Sequence, residues 1–240
     1  MGKTLAQMLK EFRKVIAPHT FMGETISVVA RPLTAEEAIG HPEHDDYPLL
    51  KGKERMMEAR FKGVAGQAYT DQAGNFEGTL KDVLNLPMDS NYHRAVLVAT
   101  ANAVLRYLGI IDKSCHCKDE DPVQCAPYLT PMLISFSPKK VGMIGHQPRL
   151  LEAVSRDFQV RICDRDPDKI SKEKSGVVIE PSENYNEIIA WCDLILATGT
   201  TLVNDTIDAF ITDTPTVFFG ITISGTAKLL GLNHFCPLGR

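Results

Sequence analysis

The stretch Cys192-Asp193-Leu194-Ile195-Leu196-Ala197-Thr198-Gly199-Thr200-Thr201-Leu202-Val203-Asn204-Asp205-Thr206 brings small hydroxyl side chains to the end of a fully apolar run. Leu194 to Ala197 reads as a strand buried on both faces, as in a parallel sheet. Gly199 frees the chain to turn, and Leu202, Val203 and Ile207 then follow at helical spacing. In an open α/β sheet the carboxyl end of such a strand is where ligands bind. Thr198, Gly199, Thr200 and Thr201 at a helix start, with Asn204 about a turn later, suit an anionic or metal-chelating ligand through hydroxyls and free amides. The same threonines serve equally well as plain helix caps.

A second constellation is Val141-Gly142-Met143-Ile144-Gly145-His146-Gln147-Pro148, another strand entering a glycine turn. Asp164 closes the next strand, where an acidic side chain can hold a ribose diol. The glycine spacing is not Gly-x-Gly-x-x-Gly, and Pro148 leaves fewer amides for a pyrophosphate. Gly145, His146 and Asp164 are therefore candidate ligand contacts, read either as a nucleotide-type site or as a tight turn that binds none. A third cluster is Cys115-His116-Cys117 with Cys125. Thiolates are soft ligands for zinc, copper(I) or iron–sulfur clusters, and Cys115, Cys117 and Cys125 are the candidate metal ligands. Only one pair is close and a fourth ligand is unspecified, so the alternative is a set of metal-free linker cysteines. His41, His44, Asp45 and Asp46 form a polar loop that reads as a metal site or as solvated side chains. There is no Ser/His/Asp order, nucleophile elbow or Walker loop. Asp164 and Asp166 are candidate acids with no identified proton to move.

The elements that must position these residues change character along the chain. Leu5, Met8, Leu9, Phe12, Val15 and Ile16 predict an amphipathic helix over 3–16 that ends before Pro18. Glu24 to Ala30 predicts a strand, and Arg60 to Thr70 another, with Gly63 and Gly66 marking a bulge or close backbone approach. Ser90 or Asn91 caps a helix over about 93–108, closed by Gly109. That helix is apolar nearly all round, so Asn102 within it needs partners for its amide, from neighbouring backbone or from a ligand in a cleft. Pro122, Pro127, Pro131 and Pro138 with the charge run Lys118-Asp119-Glu120-Asp121 predict an irregular linker. From Lys140 onward strands and helices alternate, which predicts a doubly wound parallel sheet of five strands.

The bulk numbers narrow the class of protein. The 240 residues are 44% hydrophobic and 23% charged, as in an ordinary globular protein. A formal charge of −4 gives no electrostatic reason to expect nucleic acid or an anionic membrane as partner. No apolar run suits a membrane span, and Lys10, Glu11, Arg13 and Lys14 interrupt any signal-peptide core. Six cysteines without a secretion signal read as reduced thiols of a cytoplasmic protein.

Val141-Gly142-Met143-Ile144-Gly145, the 192–206 stretch and Ala101-Asn102-Ala103 together resemble the putative heavy-metal chelation family, whose biochemical activity is unknown. The run Thr-Gly-Thr-Thr-Leu-Val-Asn is the most specific part of the likeness. The resemblance implies an α/β protein: a small α+β domain similar to the enolase N-terminal domain, here residues 1–110, and a Rossmann-like domain, here residues 139–240. Residues 111–138 would link them, with a ligand site in the cleft between. Two departures stand out: Gly220-Ile221-Thr222-Ile223-Ser224-Gly225 replaces a Gly-Pro-Ser segment, and His93 stands where a carboxylate is expected. The favoured reading is binding of a soft or transition metal ion, or of a metal chelate, at Asn102, Gly145, His146, Asp164 and the 198–204 turn. The alternative is an enzyme using NAD or S-adenosylmethionine.

Overall fold

The computed structural model describes residues 1–22, 27–52 and 54–240. Helix α1 (Lys3–Ile16) buries Leu5, Met8, Phe12 and Ile16, the stripe read from the sequence. The first sheet contains β1 (Ser27–Pro32), β2 (Arg55–Phe61), β3 (Val64–Thr70) and β4 (Phe76–Thr79) in the order β3-β2-β1-β4, antiparallel throughout. Short helices α2 (Ala35–Ile39) and α3 (Pro48–Lys51) interrupt the path from β1 to β2, and α4 (Leu80–Leu84) follows β4. The part of the expected first strand before Ser27 falls on residues 23–26, outside those described.

The single strand expected over 60–70 is in fact a hairpin. Lys62 and Gly63 both take positive φ, 49° and 84°, which turns the chain between β2 and β3 with the twist a tight hairpin needs. Lys-Gly is a weak hairpin signal, so the turn was not legible. Gly66 does mark a close approach: a Cβ there would lie 2.2 Å from the amide nitrogen of Ala103. Helix α5 (Asn91–Tyr107), capped by Ser90 through the His93 amide, therefore lies directly on β3.

The second sheet has the order β11-β10-β9-β5-β6-β8-β7. Its parallel strands are β5 (Lys140–Ile144), β6 (Gln159–Asp164), β8 (Val177–Pro181), β9 (Leu194–Thr198), β10 (Thr216–Phe219) and β11 (Asn233–Phe235). β7 (Glu173–Lys174) pairs antiparallel with β8. The five-stranded expectation is thus short by two strands: β11 is three residues long and β7 is two charged residues, too brief to show periodicity. Helices α8 (Pro148–Asp157), α9 (Tyr185–Trp191), α10 (Thr200–Val203) and α11 (Ser224–Leu230) lie between the strands. The result is an α/β fold with two sheets, one of them mostly parallel.

The proline-rich segment is also more regular than expected. It holds α6 (Asp121–Cys125) and α7 (Leu129–Ile134), with Pro122 in the first turn of α6, where its missing N–H costs nothing. Ala126, Leu129 and Leu133 pack into the core beneath one face of the second sheet. The opposite face of that sheet shares a continuous core with α1, α5 and the first sheet. Among the described residues no helix is long and apolar enough to cross a membrane.

The β3–α5 contact gives a test. Gly66→Ala forces a methyl group against the α5 backbone, which cannot move aside as a side chain would. Urea unfolding should show a loss of about 3 kcal/mol or more; a change under 1 kcal/mol would mean that the two elements are not in contact.

Candidate functional site

β5 and β9 are hydrogen-bonded neighbours whose carboxyl ends open on the same edge. The chain leaves β5 toward β6 on one side and leaves β9 toward β10 on the other, so a crevice forms where the winding reverses. Gly145 turns out of β5 with φ 86°, and a Cβ on it would stand 2.7 Å from Cγ2 of Thr198. Only glycine lets the two turns touch. The His146 amide donates to Oδ2 of Asp164 at 2.6 Å, and the Asp166 amide to its Oδ1 at 2.8 Å. Asp164 thus ties together the loops after β5 and β6, with Lys169 3.8 Å away. Both of its oxygens already accept backbone amides, which weakens the ribose reading while leaving the side chain on the crevice wall.

The threonine turn is knitted internally. The Thr198 hydroxyl donates to Oγ1 of Thr200 at 3.1 Å, and the Thr201 hydroxyl to the Thr198 carbonyl at 2.7 Å. Gly199 donates to the Phe219 carbonyl and packs so closely on Ile223 that a Cβ would lie 2.9 Å from it. α10 is only four residues long, so the strong helix dipole expected here is absent. Thr198, Thr200, Thr201 and Asn204 nevertheless line the crevice, while Gly199 does not. Oδ1 of Asn204 accepts from Asn91 at 3.2 Å, linking the turn to the start of α5.

Three adjoining cavities occupy the crevice, of about 100, 240 and 600 Å³. Thr198 and Glu54 line all three, and His146 lines the first two. The smallest, the inner cavity, is mainly apolar, with Leu150, Phe219 and Phe235 on its walls and Tyr47 and His146 also lining it. His146 is 7% exposed, and neither ring nitrogen has a partner among the protein atoms. Burial pushes its pKa down to about 4, with Lys169 adding to the effect, so the imidazole is neutral at pH 7. The Tyr47 hydroxyl is likewise buried without a protein partner, and burial raises its pKa to about 12. Five of the eight partnerless buried atoms among the described residues sit on Asp46, Tyr47, His146 and Arg149. Arg149 also pairs with Asp46 at 2.9 Å, so this polar cluster joins the 46–54 segment to the loop after β5.

Asn102 is not on a crevice wall. Its Nδ2 donates to carbonyls of Gln67 (2.9 Å), Thr222 (3.2 Å) and Ile221 (3.3 Å), and its Oδ1 accepts from the Gly225 amide at 2.9 Å. Backbone partners satisfy the whole amide, so the expected ligand contact is instead a structural joint. The contributions from the first half are Tyr47 and Glu54. Neither stood out in the sequence, because Tyr47 lies in a short loop and Glu54 in a charged run ahead of β2.

The proposed cysteine ligands do not converge. The Cys115 thiol points at the Ala65 carbonyl, 3.7 Å away, whereas Cys117 and Cys125 line the inner cavity with Cys236. Burial raises all three cavity thiols, Cys117 furthest, Cys125 to about 12 and Cys236 to about 11, so they stay protonated. His116 shares the cavity but its Nε2 is within hydrogen-bond distance of the Tyr69 hydroxyl, 3.1 Å. In the histidine loop, His41 pairs with Glu36 and Asp46 with Arg149. Among the described residues no group of three or more His, Cys, Asp or Glu is arranged to hold a metal ion. His93 pairs with Asp89, four residues earlier, at 2.8 Å.

Residues 132–232 match the DUF364 family model, described as putative heavy-metal chelation. This is the family the sequence motifs resemble, and the match spans the second sheet from β5 to β10. A DUF364-family structure of unknown function from Pyrococcus horikoshii is similar over 95% of this chain and 81% of its own, with a TM-score of 0.56 at 14% identity. Another DUF364-family structure of unknown function, from Desulfitobacterium hafniense, aligns over 73% of this chain and 72% of its own, with a TM-score of 0.47 at 18% identity. No protein of curated function matches.

The thiol geometry is checked by alkylation. All six cysteines are free, and burial raises each thiol. Iodoacetamide at pH 7.5 should label none of them rapidly in the native protein and all of them in urea. A fast-reacting native Cys117, Cys125 or Cys236 would show that the inner cavity is open to solvent.

Proposed function

We propose that the crevice binds a metal chelate as an intact small molecule, between a first domain (1–110) and a second (139–240) joined by 111–138. The observation that carries this reading is the buried His146 imidazole, whose two ring nitrogens are unpartnered, in a residue that lines the cavity with Glu54, Thr198 and Asp164. A buried polar group without a partner costs roughly 1–3 kcal/mol, and a ligand that supplies the partner recovers it. The donor set does not fit a bare ion, for which three or four protein ligands would have to converge. It does fit a metal whose coordination shell is filled mainly by its own chelator, leaving one or two positions for protein. His146 supplies the donor nitrogen, and Thr198, Thr200, Thr201 and Asn204 line the side on which the chelator rests. Tyr47 contributes a hydroxyl from the first half. The family description supports the metal part of this reading. The NAD or S-adenosylmethionine alternative has less support, because the Asp164 oxygens and the threonine hydroxyls are already bonded within the protein.

Nickel(II) iminodiacetate, a neutral chelate with open coordination positions, is the probe. Imidazole binds metal only when neutral, and His146 stays neutral down to about pH 4. Its binding should therefore persist at pH 5, where an ordinary exposed histidine near pKa 6.5 is mostly protonated. Calorimetry at pH 5 should show one site in the native protein and none in His146→Ala. Equal binding by the two proteins would remove His146, and this reading, from the site.

A further inference from the structure

The middle compartment of the crevice, about 240 Å³, is lined by four carboxylates, Glu54, Asp71, Asp164 and Asp166, against two cations, Arg165 and Lys169. Lys169 is already committed, 3.8 Å from Asp164 and 3.5 Å from Asp166. Asp71 is committed too, accepting from Asn91 at 2.6 Å. Glu54 differs from these. It stands where all three cavities meet, and no hydrogen bond among the described residues holds its carboxyl group. Among the described residues no lysine or arginine lines the inner cavity beside it.

Carboxylates alone do not define a site, but here a second observation points to a ligand. His146 and Tyr47, 7% and 3% exposed, share the inner cavity with Glu54 and keep their polar atoms unpartnered. We infer that the ligand presents a positive centre to Glu54, so that the crevice selects cationic chelates over neutral or anionic ones. This deepens the chelate-binding reading and rests on it.

The electrostatics are consistent from every side. Facing Glu54 are Asp164, Arg165, Asp166 and Lys169 around the loop after β6, Asp71 and Tyr69 at the end of β3, and neutral His146 after β5. Burial first, then the carboxylates of Asp164, Asp71 and Asp166 acting against Lys169, push the Glu54 pKa up to about 7. Around the compartment four carboxylates stand against Arg165 and Lys169, an arrangement that disfavours another anion and favours a cation. A cation bound there stabilises ionised Glu54 and relieves the repulsion among its neighbours. A neutral imidazole on the other side of the ligand accepts a metal without adding charge.

The test uses two nickel(II) chelates with three donor atoms each: neutral nickel iminodiacetate and dicationic nickel diethylenetriamine, both titrated at pH 8 into the full chain. The native protein should bind the dication at least about tenfold more tightly. Glu54→Gln should lose that preference while keeping its affinity for the neutral chelate, and Glu54→Asp should restore the preference. Native protein that binds the neutral chelate through His146 but shows no preference for the dication overturns this inference and leaves the chelate reading intact. A preference that survives in Glu54→Gln also overturns it. Failure to bind either chelate overturns both readings. If Glu54→Gln does not fold, the preference of the native protein and of Glu54→Asp decides.

Discussion

The amide of Asn102 holds the two sheets in register. It bonds to β3 through the Gln67 carbonyl and to the turn before α11 through the carbonyls of residues 221 and 222 and the Gly225 amide. One side chain thus bonds to backbone groups of two elements at once. Around it the packing is tight enough to require glycine. A Cβ on Gly225 would lie 2.7 Å from Oδ1 of Asn102, and one on Gly66 would strike the α5 backbone. The buried Arg94, from Nε to the Val203 carbonyl at 2.6 Å, makes a second tie between α5 and α10. With α5 clamped in this way, the end of β3 stands with Tyr47, Pro48 and Glu54 over the carboxyl ends of β5 and β9. The crevice is what remains between them.

Its chemistry grades from inside to outside. The inner end is apolar and, Glu54 apart, carries neutral groups: protonated thiols, neutral imidazoles and phenols whose ionisation burial opposes. The outer end is polar, acidic and internally paired. Glu54 sits at the boundary, where it is desolvated yet reachable, and small changes in nearby charge shift its ionisation.

Much of this arrangement was legible in the residues. The stripe Leu5, Met8, Phe12, Ile16 defines α1 unaided, and the apolar run 194–197 identifies β9 and the edge at which ligands meet the sheet. Gly145, His146, Asp164, Thr198 and Asn204 were readable because strand ends followed by glycine or threonine turns have a local signature. What was not legible depends on distant partners. Nothing near Asn102 shows that Gln67 and Gly225 will satisfy it, and nothing near Cys115 shows that its thiol will face Ala65 while Cys117 faces the cavity. Tyr47 and Glu54 line the crevice only because residues far away in sequence from the second sheet meet it there, and no periodicity encodes that meeting.

The amino end of α1 is fastened far from its neighbours in sequence. The amides of Gly2, Lys3 and Thr4 donate to Asp205 and Asp208, 203 to 205 positions along the chain, and the Thr4 hydroxyl bonds to Asp208 as well. The helix also lies on α11, near the other end of the molecule. On a ribosome α1 therefore emerges 203 to 205 residues ahead of the aspartates that anchor it. Until then its apolar stripe lacks part of its cover, and closure of the fold around α1 waits on Asp205, Asp208 and α11 rather than proceeding half by half.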